Sequence, residues 1–377
     1  MAHKTIFRCT IMRGGTSKGI FLREEDLPQD RELRDRIILA IFGSPDIRQI
    51  DGLGGADSLT SKLAIIAPSK EPDRDVNYTF GAVGIDKPFV DYSANCGNIS
   101  SAVGPYAIDQ GLVEAVEPFS TVKIFNTNTQ KMIYAKVPVR NKKVVSNGEY
   151  AIDGVPGTGA KIELTFRDPG GATTGKLLPT GNVMDVVRLD TGEEFNLTIV
   201  DAGNPTAFVQ ASELGLQGTE LPDPFEKEVA TKRKLESIRE KVAELMGIPC
   251  SPSIPKISFV SPPQDYKSIT GTEIKKDEID LVARVMAMGK MHKTFAITAG
   301  IPAAIAAVIP GSVVHHVIGE SSSMERTVLI GHPSGQMDVK VEAKQEGDQV
   351  HVVSCTIGRT ARKIMEGRVY ISRKVYT

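Results

Sequence analysis

The sequence predicts an α+β protein of two similar lobes, each a curved sheet wrapped around one buried helix. Two segments carry that prediction. Cys96–Ile108 (CGNISSAVGPYAI) and Gly300–Ile309 (GIPAAIAAVI) consist of small and apolar residues on every side. A helix with no polar face must be buried all round. One such segment stands in each half of the chain, after a strand-like stretch and a glycine-containing turn. A length of 377 residues also favours two cores over one. The repeat shows in composition rather than identity. Its boundary is expected near Gly175–Asn182, which gives lobes of residues 1–180 and 181–377.

Strands account for most of the remaining chain. In the first half the expected strands are Thr5–Met12, Gly19–Leu22, Lys62–Ala67, Val76–Val83, Ser120–Asn126, Met132–Val139 and Lys161–Phe166. In the second half they are Val183–Val187, Glu194–Val200, Thr206–Gln210, Lys256–Val260, Thr327–Ile330, Met337–Ala343 and Val350–Thr356. Clusters of Gly, Pro, Asn and Asp bound them, and 35 glycines suit a turn-rich protein. Three amphipathic helices are expected at Arg31–Phe42, Lys227–Met246 and Glu278–Met288. The first is stopped by Gly43-Ser44-Pro45, the second by Gly247 and Pro249.

Composition excludes several classes of function. Hydrophobic residues at 41% and charged residues at 24% describe a folded protein, and a formal net charge of -1 gives no bulk attraction to nucleic acid or anionic membrane. No run approaches the ~18 apolar residues of a membrane span. Met1–Thr5 leads straight into a strand without a signal-peptide core, so a cytoplasmic location is expected. Cys9, Cys96, Cys250 and Cys355 stand far apart with no CxxC pair, which argues against a disulfide framework or a zinc site. Cys9 and Cys355 fall inside strand patterns and Cys250 in a Pro/Ser loop, and all three read as structural.

Cys96 is different. Asn95-Cys96-Gly97-Asn98 lies at the mouth of the first buried helix, where unpaired backbone N–H groups and the helix dipole favour an anion. Such a setting suits a substrate carboxylate and stabilises a thiolate. Gly97 lets the backbone approach a ligand. A thiol there can exchange a carbon-bound proton beside a bound carboxylate. The competing reading is a small buried packing residue, the commonest fate of a free cysteine.

Two glycine-rich loops and two histidine turns leave alternatives open. Arg13-Gly14-Gly15-Thr16-Ser17-Lys18-Gly19 suits either an anion cradle or a tight hairpin, and it does not match the phosphate loop GxxxxGK[ST]. Asp51–Ser61 leads to Lys62 at the edge of an apolar strand, where partial desolvation would suit base chemistry, although most lysines are simply solvated. His292-Lys293 and His332-Pro333-Ser334-Gly335 suit substrate contact or a surface turn, and neither histidine has a metal-ligand companion.

The stretches MRGGTSKG (Met12–Gly19), DGLGGADSLTSKLAII (Asp51–Ile66), NCGN (Asn95–Asn98), LPTGN (Leu178–Asn182), DAGNP (Asp201–Pro205), MHK (Met291–Lys293), GHPSG (Gly331–Gly335) and GRTARKIMEG (Gly358–Gly367) resemble the PrpF family. That group includes 2-methylaconitate isomerase, 3-methylitaconate delta-isomerase and 4-oxalomesaconate tautomerase. The resemblance implies a diaminopimelate-epimerase-like fold, two pseudo-symmetric lobes of mostly antiparallel sheet around central helices. It also implies a substrate cleft between lobes, a catalytic cysteine at Cys96 and a lysine at Lys62. Epimerases of this architecture place a cysteine at each helix start, whereas here the second opens with Ala296-Ile297-Thr298-Ala299-Gly300, and Pro302 stands where some relatives have a cysteine. Racemisation by two thiols is therefore disfavoured.

The expected activity is a cofactor-independent shift of a proton, with allylic migration of a double bond, in a small unsaturated di- or tricarboxylate such as 3-methylitaconate. The alternatives are cis–trans isomerisation of a 2-methylaconitate- or aconitate-type acid, amino-acid epimerisation, or non-catalytic carboxylate binding by an accessory protein. Cys96 and Lys62 are the expected acid–base pair. Arg13, Gly15, Thr16, Ser17, Asn95, Gly97, Asn98, Lys293, Thr298, Ala299, Gly300 and His332 are the expected substrate contacts, the carboxylates held by N–H groups at Gly97–Asn98 and Ala299–Gly300. No metal, nucleic acid or membrane partner is expected, and a homodimer is expected by analogy.

Overall fold

Alternation along Lys62–Ile66 shows how the first sheet acquires its two faces. Leu63 and Ile65 join the apolar cluster formed with Ile37, Ile38, Ile41 and Phe42. Lys62, Ala64 and Ile66 face the other way, as the period of two along a strand requires. Ile37, Ile38, Ile41 and Phe42 line one side of helix α1 (Arg31–Phe42), whose start is capped by the Asp30 carboxylate accepting from the Leu33 N–H at 2.8 Å.

The computed structural model describes residues 4–319, 323–347 and 349–376. The chain divides into two units, Met1–Leu164 with Gly358–Thr377, and Thr165–Ile357. The C-terminal segment, expected in the second lobe, groups with the first because Ala361–Tyr370 pairs antiparallel along β1 (Ile6–Gly14), from Ile6↔Tyr370 to Gly14↔Ala361. The expected lobe boundary near residue 180 lies inside the second unit. Charged side chains on the exposed positions of Ala361–Tyr370 hid this strand from a hydrophobicity reading.

In the first unit β1 and β2 (Ser17–Arg23) form a hairpin, β2 pairs parallel with β3 (Lys62–Pro68), and β3 pairs antiparallel with β4 (Val76–Val83). Strand β4 then pairs parallel with β5 (Phe119–Asn126), which pairs antiparallel with β6 (Lys131–Arg140). Helix α2 (Gly97–Asp109) runs between β4 and β5 in sequence, with every residue from Gly97 to Ile108 buried. This is the segment of small and apolar residues expected to be buried at Cys96–Ile108.

The second unit repeats the same sequence of pairings. Strands β7 (Glu194–Ala202) and β8 (Asn204–Gln210) are antiparallel, and β8 and β9 (Lys256–Ser261) parallel. Strands β9 and β10 (Leu281–Ala287) are antiparallel, β10 and β11 (Glu325–His332) parallel, and β11 and β12 (Gly335–Glu346) antiparallel. Helix α3 (Val229–Met246) follows β8 as α1 follows β2, and buries Leu235, Ile238, Val242 and Met246 against Phe259 and Met286. Helix α4 (Ile297–Ala307), buried throughout, precedes β11 as α2 precedes β5.

One helix expected from the sequence is a strand. Within the expected Glu278–Met288, Glu278 ends the short turn Lys276–Glu278, and β10 follows, its residues Leu281 to Met286 all buried. A strand covered on both faces reads as a continuous apolar run, and such a run also satisfies helical spacing.

Candidate active site

Cys96 is the N-cap of α2, extended at φ -122° and ψ 100°, and its side chain caps no N–H group. It is 7% exposed. Among the described residues the first N–H groups of the helix, at Gly97 and Asn98, have no protein partner, whereas the Ser100 N–H closes onto the Cys96 carbonyl at 2.9 Å. The free groups are the donors that a helix start offers to an anion.

A polar web fixes this mouth from below. The Cys96 N–H donates to Asn95 Oδ1 at 2.7 Å, and Asn126 Nδ2 reaches the same oxygen at 3.3 Å. Asn126 is fully buried, and its Oδ1 accepts from the Thr129 N–H at 3.0 Å and the Thr129 hydroxyl at 2.7 Å. The Ser100 and Ser101 hydroxyls return to the carbonyls of Cys96 and Asn98, at 3.0 Å and 2.6 Å.

Lys62 comes from the first residue of β3, between Gly19 of β2 and Ala82 of β4. The loop ahead of it is held by the buried Gln49, whose Nε2 donates to the Ser44 and Ser61 hydroxyls at 2.9 Å and whose Oε1 accepts from the Ala56 N–H at 2.8 Å. Lys62 Nζ donates to Cys96 Sγ at 3.1 Å. Strand start and helix start thus bring an amine and a thiol into direct contact. A thiol and an amine in hydrogen-bond contact can pass one proton between them.

The Gly14–Ser17 hairpin closes against the same mouth. A Cβ on Gly14 would lie 2.4 Å from the Asn98 carbonyl oxygen, and one on Gly15 would lie 2.2 Å from Asn98 Oδ1; Gly15 also has φ +50°. Only glycine permits this approach. The Thr16 N–H donates to Asn98 Oδ1 at 3.4 Å. The Ser17 hydroxyl is buried without a hydrogen-bond partner. Arg13 serves the loop itself, its Nη1 donating to the carbonyls of Gly15 at 2.9 Å and Thr360 at 3.0 Å. Burial, followed by neighbouring Arg362, pushes the Arg13 guanidinium below its usual value.

In the second unit Thr298 is buried and its hydroxyl accepts from Asn204 Nδ2 at 3.0 Å. The N–H groups of Ala299 and Gly300, expected to hold a carboxylate, both turn back to the Ala296 carbonyl at 2.8 Å. Closure of the first turn occupies them and leaves Ile297 and Thr298 as the free donors. His332 is buried, its Nδ1 accepting from the Ser334 N–H at 3.2 Å, while the Ser334 hydroxyl donates to the Lys293 carbonyl at 2.7 Å. The MHK and GHPSG turns therefore meet, with the Lys293 side chain exposed.

Sequence reasoning missed Asn126 and Ser100. Asn126 ends a strand at a turn, which is ordinary for asparagine, and only tertiary contact with Asn95 gives it a part in the site. Among the described residues no group of three or more His, Cys, Asp or Glu side chains is placed to hold a metal, and no helix is long and apolar enough to cross a membrane.

The family model for the PrpF protein matches residues 4–372. The chain belongs to the PrpF family. It is 50% identical to a 3-methylitaconate isomerase of Eubacterium barkeri over 97% of both chains, and 40% identical to a 2-methyl-aconitate isomerase of Shewanella oneidensis over 97% of this chain and 96% of that one. Among solved structures a methylitaconate-delta-isomerase aligns with a TM-score of 0.79 at 47% identity, covering 100% of this chain and 98% of that chain. A hydroxyproline epimerase of Agrobacterium vitis aligns with a TM-score of 0.57 at 11% identity, covering 98% of this PrpF chain and 94% of its own. The epimerase-like α+β fold is therefore shared well beyond the family.

Proposed function

We propose that this isomerase moves a proton between two carbons of a small unsaturated dicarboxylate of the 3-methylitaconate type, with Lys62 and Cys96 as the acid–base pair. The observation that carries the reading is the 3.1 Å contact of Lys62 Nζ with Cys96 Sγ at the free N–H groups of α2. One carboxylate is held by the Gly97 and Asn98 N–H groups, with Thr16 and the unpartnered Ser17 hydroxyl beside them. One member of the pair takes the proton from the carbon that bears a carboxylate and adjoins the alkene. The electron pair passes into a dienolate, whose charge the fixed donors stabilise. The other member delivers a proton to the far alkene carbon, so the double bond moves by one position and the composition is unchanged.

Identity of 50% to the 3-methylitaconate isomerase against 40% to the 2-methyl-aconitate isomerase favours double-bond migration over cis–trans change. Two-thiol epimerisation is disfavoured because the N-cap of α4 is Ala296 rather than a cysteine. The test is a panel of unsaturated di- and tricarboxylates followed by proton NMR in deuterated water. Migration with deuterium entering the new methyl group is expected. Turnover of 2-methylaconitate alone would replace this reading with the cis–trans one.

A further inference from the structure

Strand β4 presents one more polar side chain towards α2. Ala82 pairs with Lys62 and Tyr78 pairs with Ile66 across the β3–β4 ladder. Tyr78 and Ala82 are four residues apart on one strand, so Tyr78 points to the side on which Lys62 meets Cys96. Tyr78 is fully buried. Its carbonyl accepts from Asn126 Nδ2 at 3.3 Å, the same amide that reaches Asn95 Oδ1. Its hydroxyl lies beside Ser100, whose own hydroxyl holds the Cys96 carbonyl, and it makes no hydrogen bond of ordinary geometry.

A buried hydroxyl without a partner is destabilising, and phenylalanine would fill the same space without that penalty. Its presence is better explained by charge that develops nearby during the reaction. Burial holds the phenol well above its ordinary range, negative charge at Cys96 pushes it further up, and Ser100 opposes both. The group is therefore a permanent O–H donor rather than a proton-transfer group.

We propose that Tyr78 is a positioning residue for Cys96, its O–H dipole set behind the first turn of α2 to stabilise negative charge on the sulfur when the thiol proton moves to Lys62. The proposal rests on the Lys62–Cys96 reading above. Its test is the pH profile of Cys96 alkylation by iodoacetamide, which needs no substrate. The measurement is made in a Cys250→Ser background, because Cys250 is exposed, whereas burial pushes the Cys9 and Cys355 thiols up.

Tyr78→Phe is expected to move the alkylation midpoint up by about one pH unit, leaving about tenfold less thiolate below it. With 3-methylitaconate, kcat should fall by about tenfold while KM stays within about twofold, the pattern of charge stabilised during the chemical step. Ser100→Ala interrupts the same path, is expected to shift the midpoint in the same direction, and reports in its place if Tyr78→Phe does not fold. An unmoved alkylation midpoint overturns the proposal. Failure of the underlying reading has a different signature, full turnover by Cys96→Ala.

Discussion

Lys62 Nζ lies 3.1 Å from Cys96 Sγ, although the two residues are 34 positions apart in sequence. Each is the first residue of its element or the cap just before it, so neither position depends on a flexible loop tip. Lys62 is fixed on both sides by strand pairing, and Cys96 by the Asn95–Asn126–Thr129 web beneath its N–H. Groups held on rigid elements in this way have the preorganised geometry that the proposed acid–base pair requires.

Removal of either partner tests the pair directly. Lys62→Met and Cys96→Ala are each expected to lower kcat by about 10²–10⁴-fold, the usual contribution of a positioned acid or base. If the two act as one unit, as proposed, the double variant should be barely slower than the slower single variant. Circular dichroism should show all three folded, and turnover by proton NMR supplies the rates. Multiplicative losses in the double variant would mean that the two groups act independently.

The sequence disclosed the buried helices and the thiol because those signals are local. An apolar segment with no polar face has one physical solution, and a cysteine at its mouth is visible without a structure. The position of Lys62 was legible only through its family motif, since nothing in LTSKLAII distinguishes a reagent from a solvated lysine. Strand β10 was misread because full burial erases the alternation that marks a half-exposed strand. Asn126, and Tyr78 in its proposed role, were invisible for a third reason, that their place is set by which side of a long-range strand ladder faces α2.

The Gly14–Ser17 hairpin should tolerate no added side chain. Gly14→Ala places a methyl group 2.4 Å from the Asn98 backbone oxygen, which cannot swing aside as a flexible side-chain tip would. A loss of about 1–3 kcal/mol is expected from overpacking, with KM raised as the Asn98 end of the mouth is displaced. Gly111→Ala is the control: its φ is +67° but nothing lies within 4 Å of the new methyl group, so it should cost about 1–2 kcal/mol of backbone strain and leave KM unchanged. Urea unfolding and steady-state kinetics on the two variants separate clash from strain.

The web under Cys96 should be more costly to break at Asn126 than at its rim. Asn126→Leu preserves approximate volume but removes the Nδ2 contacts to Asn95 Oδ1, the Tyr78 carbonyl and Asn128 Oδ1, and the Oδ1 acceptor of the Thr129 N–H and hydroxyl. With four protons no longer shared, two from Nδ2 and two from Thr129, a loss of about 4 kcal/mol is expected at about 1 kcal/mol each, together with a reduced kcat. Thr129→Val removes only the hydroxyl bond to Asn126 and should cost about 1 kcal/mol with kcat little altered. Equal effects from the two variants would mean that Asn126 does not organise the mouth.

The N-terminal strand carries a pH-dependent tie that is separate from the site. Asp26 takes Lys4 Nζ at 2.7 Å and Arg8 Nε at 3.1 Å. Burial acts to raise the Asp26 carboxyl, but its hydrogen bonds and charge pairing with Lys4 and Arg8 outweigh that and hold it below the usual carboxylate value. A carboxyl depressed on folding contributes stability that is present above its unfolded value of about 3.9 and is lost as pH falls through its folded value. Asp26→Asn should therefore lower the urea midpoint at pH 7, where the wild-type carboxylate is charged. Once pH has fallen below the folded value, both chains carry a neutral side chain at this position, and the gap between their midpoints should close. A gap of the same size at both pH values would assign the effect to packing rather than charge.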